Sequence, residues 1–294
     1  MKTQKMLKKR FFPIEHRIAL VIVFIIFCLY AFSLIYPILW VFVQSFRTHR
    51  DFILNPMGIS MADLNLDSYL NVFTVYEINS TNVFGMFGNT VIIAFGGTFA
   101  TIASSCVAAY IVSRYKFFGR NLIYSVAILT MIIPTAGALA STYKLMNDTG
   151  LAGKHIGIII KGAGGFDFTF IMLYGFFKNI SYSYSESAQL DGAGHFTIFL
   201  KIMVPLAMPQ IIAVSIVAFI GQWNGYIDPY LYLEEHPTLS VGIYQMSQDV
   251  TYGTGANYPG LFALMIVSII PVLILFGIFQ KTIVENTVAG GIKG

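Results

Sequence analysis

The stretch Glu186–Pro209, with the sequence ESAQLDGAGHFTIFLKIMVPLAMP, lies between two long apolar runs and differs in composition from both. It holds two carboxylates, two glycines and two prolines, although only 11% of the residues of the whole chain are charged. Such a concentration of turn-forming and charged residues predicts a compact, structured segment between the runs. The place of that segment in the fold depends on what the apolar runs form.

The composition of the chain is that of a membrane protein. Of its 294 residues, 56% are hydrophobic and 15% are aromatic, and the mean hydropathy is +0.71. A soluble domain of this length normally carries about a quarter charged residues. The apolar share is larger than one globular core requires, so a lipid bilayer is the expected environment.

Six windows of predominantly apolar residues are long enough to cross a hydrocarbon core of about 30 Å as helices. They lie near Ile18–Phe46, Phe84–Val112, Leu122–Leu145, Ile156–Phe177, Leu206–Leu233 and Tyr258–Phe279. The fourth window is the weakest, because the sequence KGAGG at Lys161–Gly165 interrupts its apolar run. The expected fold is an all-α integral membrane protein with six transmembrane helices.

The distribution of Lys and Arg predicts the orientation, because cytoplasmic loops of membrane proteins are enriched in both. Six basic residues precede or open the first window: Lys2, Lys5, Lys8, Lys9, Arg10 and Arg17. The first window is too long for a cleaved signal peptide, so we expect it to be retained. With the N terminus inside, most of the 18 basic residues lie on the inner side. Both termini and Glu186–Pro209 are therefore expected in the cytoplasm.

Nucleotide hydrolysis and metal chemistry are not expected on this chain. A phosphate-binding loop requires GxxxxGK followed by Ser or Thr. The Gly153–Lys154 pair is followed by His155, and Asp148 occupies the position of the first glycine. The five histidines are scattered and form no HExxH sequence. We therefore expect no catalytic residue and no metal site.

The opening stretch itself predicts two short helices joined by a turn. Ser183 and Glu186 fit a capping box, in which a hydroxyl and a carboxylate bind the free amides at a helix start. A short helix would then run to Leu190. Asp191–Gly192 is a strong turn pair, because glycine tolerates a positive φ.

A second helical segment is expected from about His195 to Met203, with Pro205 and Pro209 at the start of the next span. We call residues 183–203 the elbow. Two amphipathic helices at an angle are suited to fit a groove in another protein. A re-entrant or interfacial loop resting on lipid headgroups is an equal alternative from local chemistry alone.

The elbow resembles a known motif. Glu186-Ser187-Ala188, Gly192 and Ile202 with Val204-Pro205 are similar to the EAA motif, EAA…G…I-LP, of the membrane subunits of bacterial ATP-binding-cassette importers. Ser187 replaces an alanine and Val204 replaces a leucine. Neither change removes the turn glycine or the proline.

The resemblance extends over nearly the whole chain, which is similar to the maltose-type carbohydrate permeases. Further similar stretches occur in the expected order: PILWVFVQSFRT, NTVIIAF, AAYIVSRYKFFGR, GFFKNI, QWN and FQKTIVENTVAGGIKG. The resemblance implies a single transmembrane domain over residues 1–294. It comprises a basic cytoplasmic N terminus at 1–17, a permease core at 84–280 and a cytoplasmic tail at 281–294.

In that family the elbow is a cytoplasmic coupling helix pair, between the fourth and fifth spans, that contacts a separate ATPase subunit. The residues implied at this contact are Glu186, Ser187, Ala188, Asp191, Gly192, Ala193, Ile202 and Pro205. The C-terminal tail would also reach the ATPase through Gly290, Gly291, Lys293 and Gly294. Without the resemblance, a frayed terminus would be preferred for the tail.

The resemblance also implies partners and a location in the bacterial plasma membrane. The partners are a second, non-identical permease subunit, an ATPase dimer and an extracytoplasmic solute-binding protein, which the outer loop Glu234–Asn257 would contact. ATP and magnesium would bind to the ATPase, so no cofactor is expected on this chain. A carbohydrate substrate and membrane lipid are expected ligands, and nucleic acid is not.

Polar residues within membrane spans are costly and are default candidates for function. Near the end of the fifth window, amide and ring side chains together suit neutral polyols better than phosphate or amino acids. The candidates for the substrate path are Asn89, Gln222, Trp223, Asn224, Tyr226 and Asp228. For the tyrosines, an aromatic belt at the membrane surface is an equal alternative. Lys161 and Asp167 could form a neutralising pair.

These observations predict a permease subunit of an ATP-driven importer for sugars or oligosaccharides. An importer of the same class for a non-sugar solute is the first alternative. An ion-coupled secondary carrier would need charged relays and inverted repeats, and a signalling scaffold would need a soluble output domain. Neither set of features is found in the sequence.

Overall fold

The computed structural model of the chain describes residues 14–58, 64–133, 135–253 and 257–289. Several features of the sequence lie outside these ranges. They are the basic residues up to Arg10, the proline at 134 and the tail residues Gly290, Gly291, Lys293 and Gly294.

The described ranges are predominantly helical. The helices are α1 (Ile14–Gln44), α2 (His49–Leu54), α3 (Asp67–Thr74), α4 (Val83–Arg114), α5 (Arg120–Ile132), α6 (Leu139–Asp148), α7 (His155–Gly162), α8 (Phe168–Asn179), α9 (Ser183–Leu190), α10 (His195–Ile198), α11 (Val204–Asn224), α12 (Ile227–Tyr232), α13 (Leu239–Tyr252) and α14 (Tyr258–Ala289). A 3₁₀ turn at Thr135–Ala138 precedes α6, and a π-helical segment at Phe199–Met203 joins α10 to α11.

Four of the described helical stretches are long and apolar enough to cross a membrane. They are Ile18–Gln44, Val83–Arg114, His195–Asn224 and Tyr258–Gln280. They correspond to the first, second, fifth and sixth predicted windows, which confirms the helical membrane class. The third and fourth windows form shorter helices.

The third window, Leu122–Leu145, is not one continuous helix. The chain leaves α5 at Ile133, which has an extended backbone with φ −78° and ψ 122°. This conformation is the one preferred by a residue that precedes a proline, because the proline ring disfavours the helical region at that position. The helix resumes only after the 3₁₀ turn, as α6.

The fourth window is broken at the place where KGAGG interrupts its apolar run. Helix α7 ends at Gly162, and Gly165 has a φ of +75°, which a residue with a side chain rarely adopts. Helix α8 then begins after Asp167, whose side chain accepts a hydrogen bond from the Phe170 amide at 3.1 Å. This N-cap is typical of an aspartate before a helix.

The fifth window, Leu206–Leu233, is displaced relative to the helix that the chain forms. The continuous helical stretch begins at His195 and ends at Asn224, so it includes the second arm of the elbow. Gly225, with ψ 116°, ends the helix, and α12 follows as a separate short element. The predicted second arm is therefore continuous with α11 and is not a separate helix.

A small β-hairpin departs from the all-α expectation. Strand β1 (Glu77–Ile78) pairs antiparallel with β2 (Thr81–Asn82). The two residues between them, Asn79 and Ser80, both have positive φ, as a tight two-residue hairpin turn requires. The Asn79 side chain donates to the Glu234 carbonyl at 2.8 Å, which ties the hairpin to the segment after α12.

The buried residues form two large apolar clusters, one toward each end of α4. The cluster at the C-terminal end includes Tyr110 and three elbow residues, Ala188, Ile198 and Met203. The cluster at the N-terminal end includes Met86 and Leu264. Helix α4 packs against α7, α8 and α11 and is the central element of the bundle.

Helix α1 lies outside this bundle. Its window Ile18–Gln44 contributes no side chains to the core over its most apolar part, where every residue is exposed. It reaches the bundle near its C-terminal end, where the Trp40 ring packs edge-on to Phe262 of α14 at a centroid distance of 5.4 Å. The core of the bundle is therefore formed largely without α1.

Candidate functional site

A cavity of about 900 Å³ lies beside the middle of α4, between the two apolar clusters. Its walls combine apolar side chains with polar ones contributed by α4, α6, α7, α8, α11 and α12. The polar lining residues are Thr101, Thr142, Lys161, Asp167, Thr169, Gln222, Asn224 and Asp228. This volume is within the range of small-molecule sites, about 300–1,000 Å³.

Four of the six candidates for the substrate path line this cavity: Gln222, Asn224, Tyr226 and Asp228. They come from the end of α11 and the start of α12, and the break at Gly225 turns that short stretch toward the cavity. The sequence pattern GQWNGYIDPY therefore contributes residues to the cavity wall. Their contact with a solute stays a prediction.

The other two candidates lie elsewhere. Trp223 is only 2% exposed, and its indole Nε1 donates to the Ser268 carbonyl of α14 at 3.1 Å. The Asn89 amide donates to the Pro237 carbonyl at 3.0 Å, and its Oδ1 lies 2.9 Å from His155 Nε2. Neither residue is among those that line the cavity. Helical spacing points Trp223 into the core, and Asn89 is held by its bonds to Pro237 and His155.

The predicted pair of Lys161 and Asp167 does not form. Lys161 Nζ instead lies 2.5 Å from Asp228 Oδ1, and the two side chains are 33% and 36% exposed. The same ammonium lies 5.4 Å from the centre of the Tyr232 ring. Asp167 accepts a hydrogen bond from Ser105 Oγ at 3.0 Å in addition to capping α8. The ion pair thus joins α7 to α12 across the cavity wall.

Gln222 reaches the cavity through a gap made by glycines. A Cβ atom at Gly97 of α4 would lie 2.9 Å from the Gln222 side chain, and one at Gly162 of α7 would lie 3.6 Å from it. The Thr101 hydroxyl donates to the Gly162 carbonyl at 3.0 Å, which satisfies a free carbonyl at the end of α7. Small residues here allow α4 and α7 to approach each other closely.

The cavity-lining ring of Tyr226 belongs to a cluster of aromatic rings. Tyr226 stacks on Tyr244 of α13 with centroids 4.7 Å apart, and Tyr230 meets Tyr244 edge-on at 5.3 Å. Tyr244 was not predicted, because only the packing of α13 on the bundle brings its ring against Tyr226. Thr101 was also not predicted, although a threonine in the middle of an apolar span is a signal that sequence reasoning can use.

The segment Glu234–Asn257 is less open than a free loop. Most of it forms α13, and the buried side chain of Met246 packs into the apolar cluster at the N-terminal end of α4. The Tyr76 hydroxyl donates to the Gly242 carbonyl at 2.8 Å, and burial raises the pKa of Tyr76. Contact of this segment with a binding protein stays a prediction.

The elbow ends its first helix with a tight turn at Gly192, which has a φ of +80°. The Gly192 amide donates to the Gln189 carbonyl at 3.0 Å, and the Ala193 amide donates to the Ala188 carbonyl at 2.9 Å. This pair of bonds around a glycine in the left-handed region is a Schellman motif. It explains why the Asp-Gly pair predicted the turn correctly.

The predicted capping box at the start of α9 is wrong. Ser183 is already the first helical residue, and the N-cap is Tyr182, whose side chain accepts no capping bond. The Ser183 amide donates instead to the hydroxyl of Ser181 at 3.3 Å. Helix α9 still spans Ser183–Leu190, as expected.

The residues implied at the ATPase contact differ in exposure. Glu186, Ser187, Asp191, Gly192 and Pro205 are exposed, Ala193 and Ile202 are half-buried, and Ala188 is buried. Ala188 therefore anchors α9 to the bundle. Two apolar side chains project instead, Leu190 at 89% exposure and Phe196 at 74%. Such exposed apolar groups beside a rigid turn are typical of a surface that meets another protein.

The described ranges contain no group of three or more His, Cys, Asp and Glu side chains that could hold a metal ion. His155 and His236 do come together, with ring centroids 5.1 Å apart and planes at 29°. Two imidazoles without a further ligand do not make a metal centre.

A bundle of apolar helices around a polar cavity, with an exposed bent segment at one end of its central helices, defines the class of a multi-pass membrane transport subunit. Residues 101–287, well over half of the chain, match the family described as binding-protein-dependent transport system inner membrane component. The chain belongs to this family. It is a permease subunit of the ATP-binding-cassette importer type.

Individual relatives cover nearly the whole chain. It is 30% identical to the diacetylchitobiose uptake system permease protein of Streptomyces coelicolor, over 96% of this chain and 89% of the relative. It is 29% identical to the maltodextrin transport system permease protein of Streptococcus pneumoniae, over 89% of this chain and 91% of the relative.

A solved structure has the same fold. The crystal structure of a bacterial ABC transporter involved in the import of the acidic polysaccharide alginate contains a chain with a TM-score of 0.77 and 22% identity. The match covers 92% of this chain and 98% of that one.

Proposed function

We propose that this chain carries sugars or oligosaccharides through the membrane as the permease subunit of its importer. The observation that carries the proposal is the cavity, where amide and hydroxyl groups face aromatic and aliphatic side chains. Among the described lining residues, Lys161 is the only cationic side chain, and Asp228 neutralises it. A neutral polyhydroxylated solute fits these walls better than an anion, which would require clustered cations.

The chemistry of the walls is that of saccharide recognition. Gln222 and Asn224 each offer a donor and an acceptor, which match the hydroxyl groups of a sugar. The Tyr226 ring offers a flat apolar face for the C–H side of a pyranose. The names of the relatives, which specify diacetylchitobiose and maltodextrin, support the same substrate class.

The proposed topology has six spans, with both termini and the elbow in the cytoplasm. The third span comprises α5, the 3₁₀ turn and α6, and the fourth comprises α7 and α8. Broken helices are tolerated in membranes where they line a cavity, and α6, α7 and α8 all contribute lining residues. Helices α2, α3 and α13 and the β-hairpin would then lie on the outer side.

The proposed partners are a second permease subunit, an ATPase dimer and an extracytoplasmic binding protein. The elbow would contact the ATPase through exposed residues, and the Gly290–Gly294 tail would contact it as the resemblance implies. The exposed residues are Glu186, Ser187, Asp191, Gly192, Leu190, Phe196 and Pro205. ATP and magnesium would bind to the ATPase. The single domain over residues 1–294 stays part of the same proposal.

The proposed mechanism is alternating access. Closure of the ATPase dimer on ATP would draw the elbows of the two permease subunits together. Because Ala188 and Ile198 are packed into the bundle, a displaced elbow would move the helices with it as a rigid body. The cavity would then change from opening inward to opening outward, where the binding protein delivers the solute.

Uptake by the reconstituted transporter tests the proposal. Proteoliposomes would contain this chain, its second permease and the ATPase, with binding protein outside and ATP inside, and a panel of labelled solutes would be offered. Neutral oligosaccharides should accumulate only with ATP. Uptake driven by a proton or sodium gradient without ATP would contradict the importer class, and uptake of amino acids or phosphate in place of saccharides would contradict the substrate class.

A further inference from the structure

Arg114 is the last residue of α4, and it is buried, with only 8% of its surface exposed. A buried guanidinium is costly unless its donors are satisfied. The sequence stretch that contains it, AAYIVSRYKFFGR, carries part of the family resemblance but has no part in the function proposed above. The contacts of the Arg114 side chain therefore show which segments this buried charge holds together.

The Arg114 guanidinium joins α4 to the end of α8 and the start of α9. Nη1 donates to the Ile180 carbonyl at 2.7 Å, and Nη2 donates to the Ser181 carbonyl at 3.1 Å. Weaker bonds at 3.4 Å reach the Phe177 carbonyl and Ser185 Oγ. A cation is favoured at this point, because carbonyl groups at a helix C terminus lack partners within the helix.

The aromatic ring of Tyr182 covers another side of the Arg114 guanidinium. The Tyr182 ring lies 4.1 Å from Arg114 Cζ, a distance at which the cation is attracted to the face of the ring. Tyr182 is the N-cap of α9, and it supplies no side-chain cap to that helix. The start of α9 is thus held from outside by a residue of α4.

Helix α4 also reaches the cavity. Ile93 and Thr101 line it, and the Thr101 hydroxyl binds the Gly162 carbonyl of α7. One continuous helix, with no proline inside it, therefore connects the cavity wall to the guanidinium. Rigid elements of this kind are the physical route by which two distant sites become coupled.

We propose that Arg114 is a positioning residue for coupling, which fixes α9 to α4 so that displacement of the elbow moves the cavity wall. This inference rests on the proposed function, in which a separate ATPase moves the elbow. Arginine is required here because its planar group offers several donors in fixed directions. A lysine has the same charge but cannot bind the Ile180 and Ser181 carbonyls in the same geometry.

The test compares Arg114→Lys with Arg120→Lys in the complete reconstituted transporter. Arg120 is a matched control in the same region, since its guanidinium donates to the Tyr115 carbonyl, next to α4, at 3.4 Å. Sugar uptake and ATP hydrolysis are measured on the same proteoliposomes, together with the amount of ATPase that copurifies. We expect Arg114→Lys to lower the sugar transported per ATP by about tenfold, within the range of allosteric coupling. Arg120→Lys should leave the ratio unchanged.

A purely structural role would give a different result. It would lower the amount of assembled complex, and uptake and hydrolysis would fall together, so an unchanged ratio in Arg114→Lys overturns the inference. If the lysine variant does not assemble, Tyr182→Leu decides, because Tyr182 is exposed and leaves no buried charge when it is removed. A lowered ratio in that variant supports the inference, and an unchanged one overturns it.

Wild-type uptake that does not depend on ATP would contradict the proposed function itself. That outcome is seen before any variant is compared.

Discussion

At the scale of the residue, Gly192 is the position where backbone conformation and proposed coupling coincide. Its φ of +80° lets the Schellman turn close the elbow, and a Cβ atom added there would meet no atom of the described residues within 4 Å, its chain neighbours aside. The requirement for glycine within the chain is therefore conformational and not steric. A residue with a branched side chain resists this region by about 1–2 kcal/mol, whereas asparagine visits it readily.

This distinction predicts different effects for two variants of Gly192. Gly192→Val should lower ATP-driven uptake by about tenfold, as expected for lost coupling, while the protein remains in the membrane. Gly192→Asn should keep most of the uptake, because asparagine can adopt the turn. Uptake assays on membranes with matched protein amounts measure both. Unchanged uptake in Gly192→Val would contradict the coupling role. Equal losses in both variants would show that the contact surface of the ATPase excludes any side chain at this position.

The ion pair of Lys161 and Asp228 makes a second prediction at this scale. Asp228→Asn leaves an unpaired ammonium in the cavity, whereas the double variant Lys161→Gln/Asp228→Asn leaves none. Because the pair is about one-third exposed, its contribution is at most about 1 kcal/mol, so uptake of a neutral sugar should fall about two- to fivefold in Asp228→Asn. The double variant should recover part of that loss.

A competition assay with a charged solute tests the same ion pair. In Asp228→Asn, an acidic oligosaccharide should inhibit uptake of the neutral sugar, because the free ammonium can bind a carboxylate. It should not inhibit the wild-type protein. Equal inhibition of both proteins would mean that Lys161 does not face the solute.

At the scale of the element, the contact between α4 and α11 depends on a glycine. A Cβ atom at Gly97 would lie 2.9 Å from the Gln222 side chain, which must then move. Because the displaced atoms are the far end of a flexible side chain, stability should change little. The loss of a hydrogen bond from Gln222 to the solute should raise the apparent KM of Gly97→Ala about two- to tenfold.

Gly88→Ala is the matched control for that variant. Gly88 lies on the same helix, and beyond the backbone of that helix a Cβ atom there would meet none of the described residues within 4 Å. Concentration-dependent uptake of both variants gives the comparison. A similar KM for Gly97→Ala and Gly88→Ala would contradict the proposed contact between Gln222 and the solute.

Several elements could be predicted from the sequence because their causes are local. Hydropathy located four long apolar helices, and the Asp191–Gly192 pair located the elbow turn. The break of the fourth window followed from its run of glycines. These features depend on residues that are neighbours in the chain, so sequence patterns record them directly.

Other features could not be predicted because they depend on packing between distant segments. Lys161 pairs with Asp228 and not with the nearby Asp167, since α12 folds over α7. Trp223 follows a cavity residue in sequence but faces the core, because successive helical residues point in different directions. The contacts of Arg114 depend on carbonyls more than 60 residues away.

At the scale of the whole molecule, the cavity and the elbow lie at different levels along one helix. Helix α4 passes the cavity near its middle and ends at the elbow, and the apolar clusters on either side hold these regions in fixed relation. Under the proposed mechanism, motion of the elbow at one end of α4 would therefore change the cavity. The exposed apolar surface of α1 adds a large area for lipid or for the second permease.

The most direct test of this account is the accessibility of the cavity in the assembled transporter. A single cysteine at Val217, which lines the cavity, would be introduced after Cys28 and Cys106 are replaced by alanine, and a membrane-impermeant thiol reagent would be applied from either side. Tyr252→Cys, on the exposed end of α13, serves as the control for constant outside labelling. We predict that a non-hydrolysable ATP analogue shifts labelling of Val217→Cys from the inner to the outer side. Labelling from the same side with and without the analogue would contradict the account.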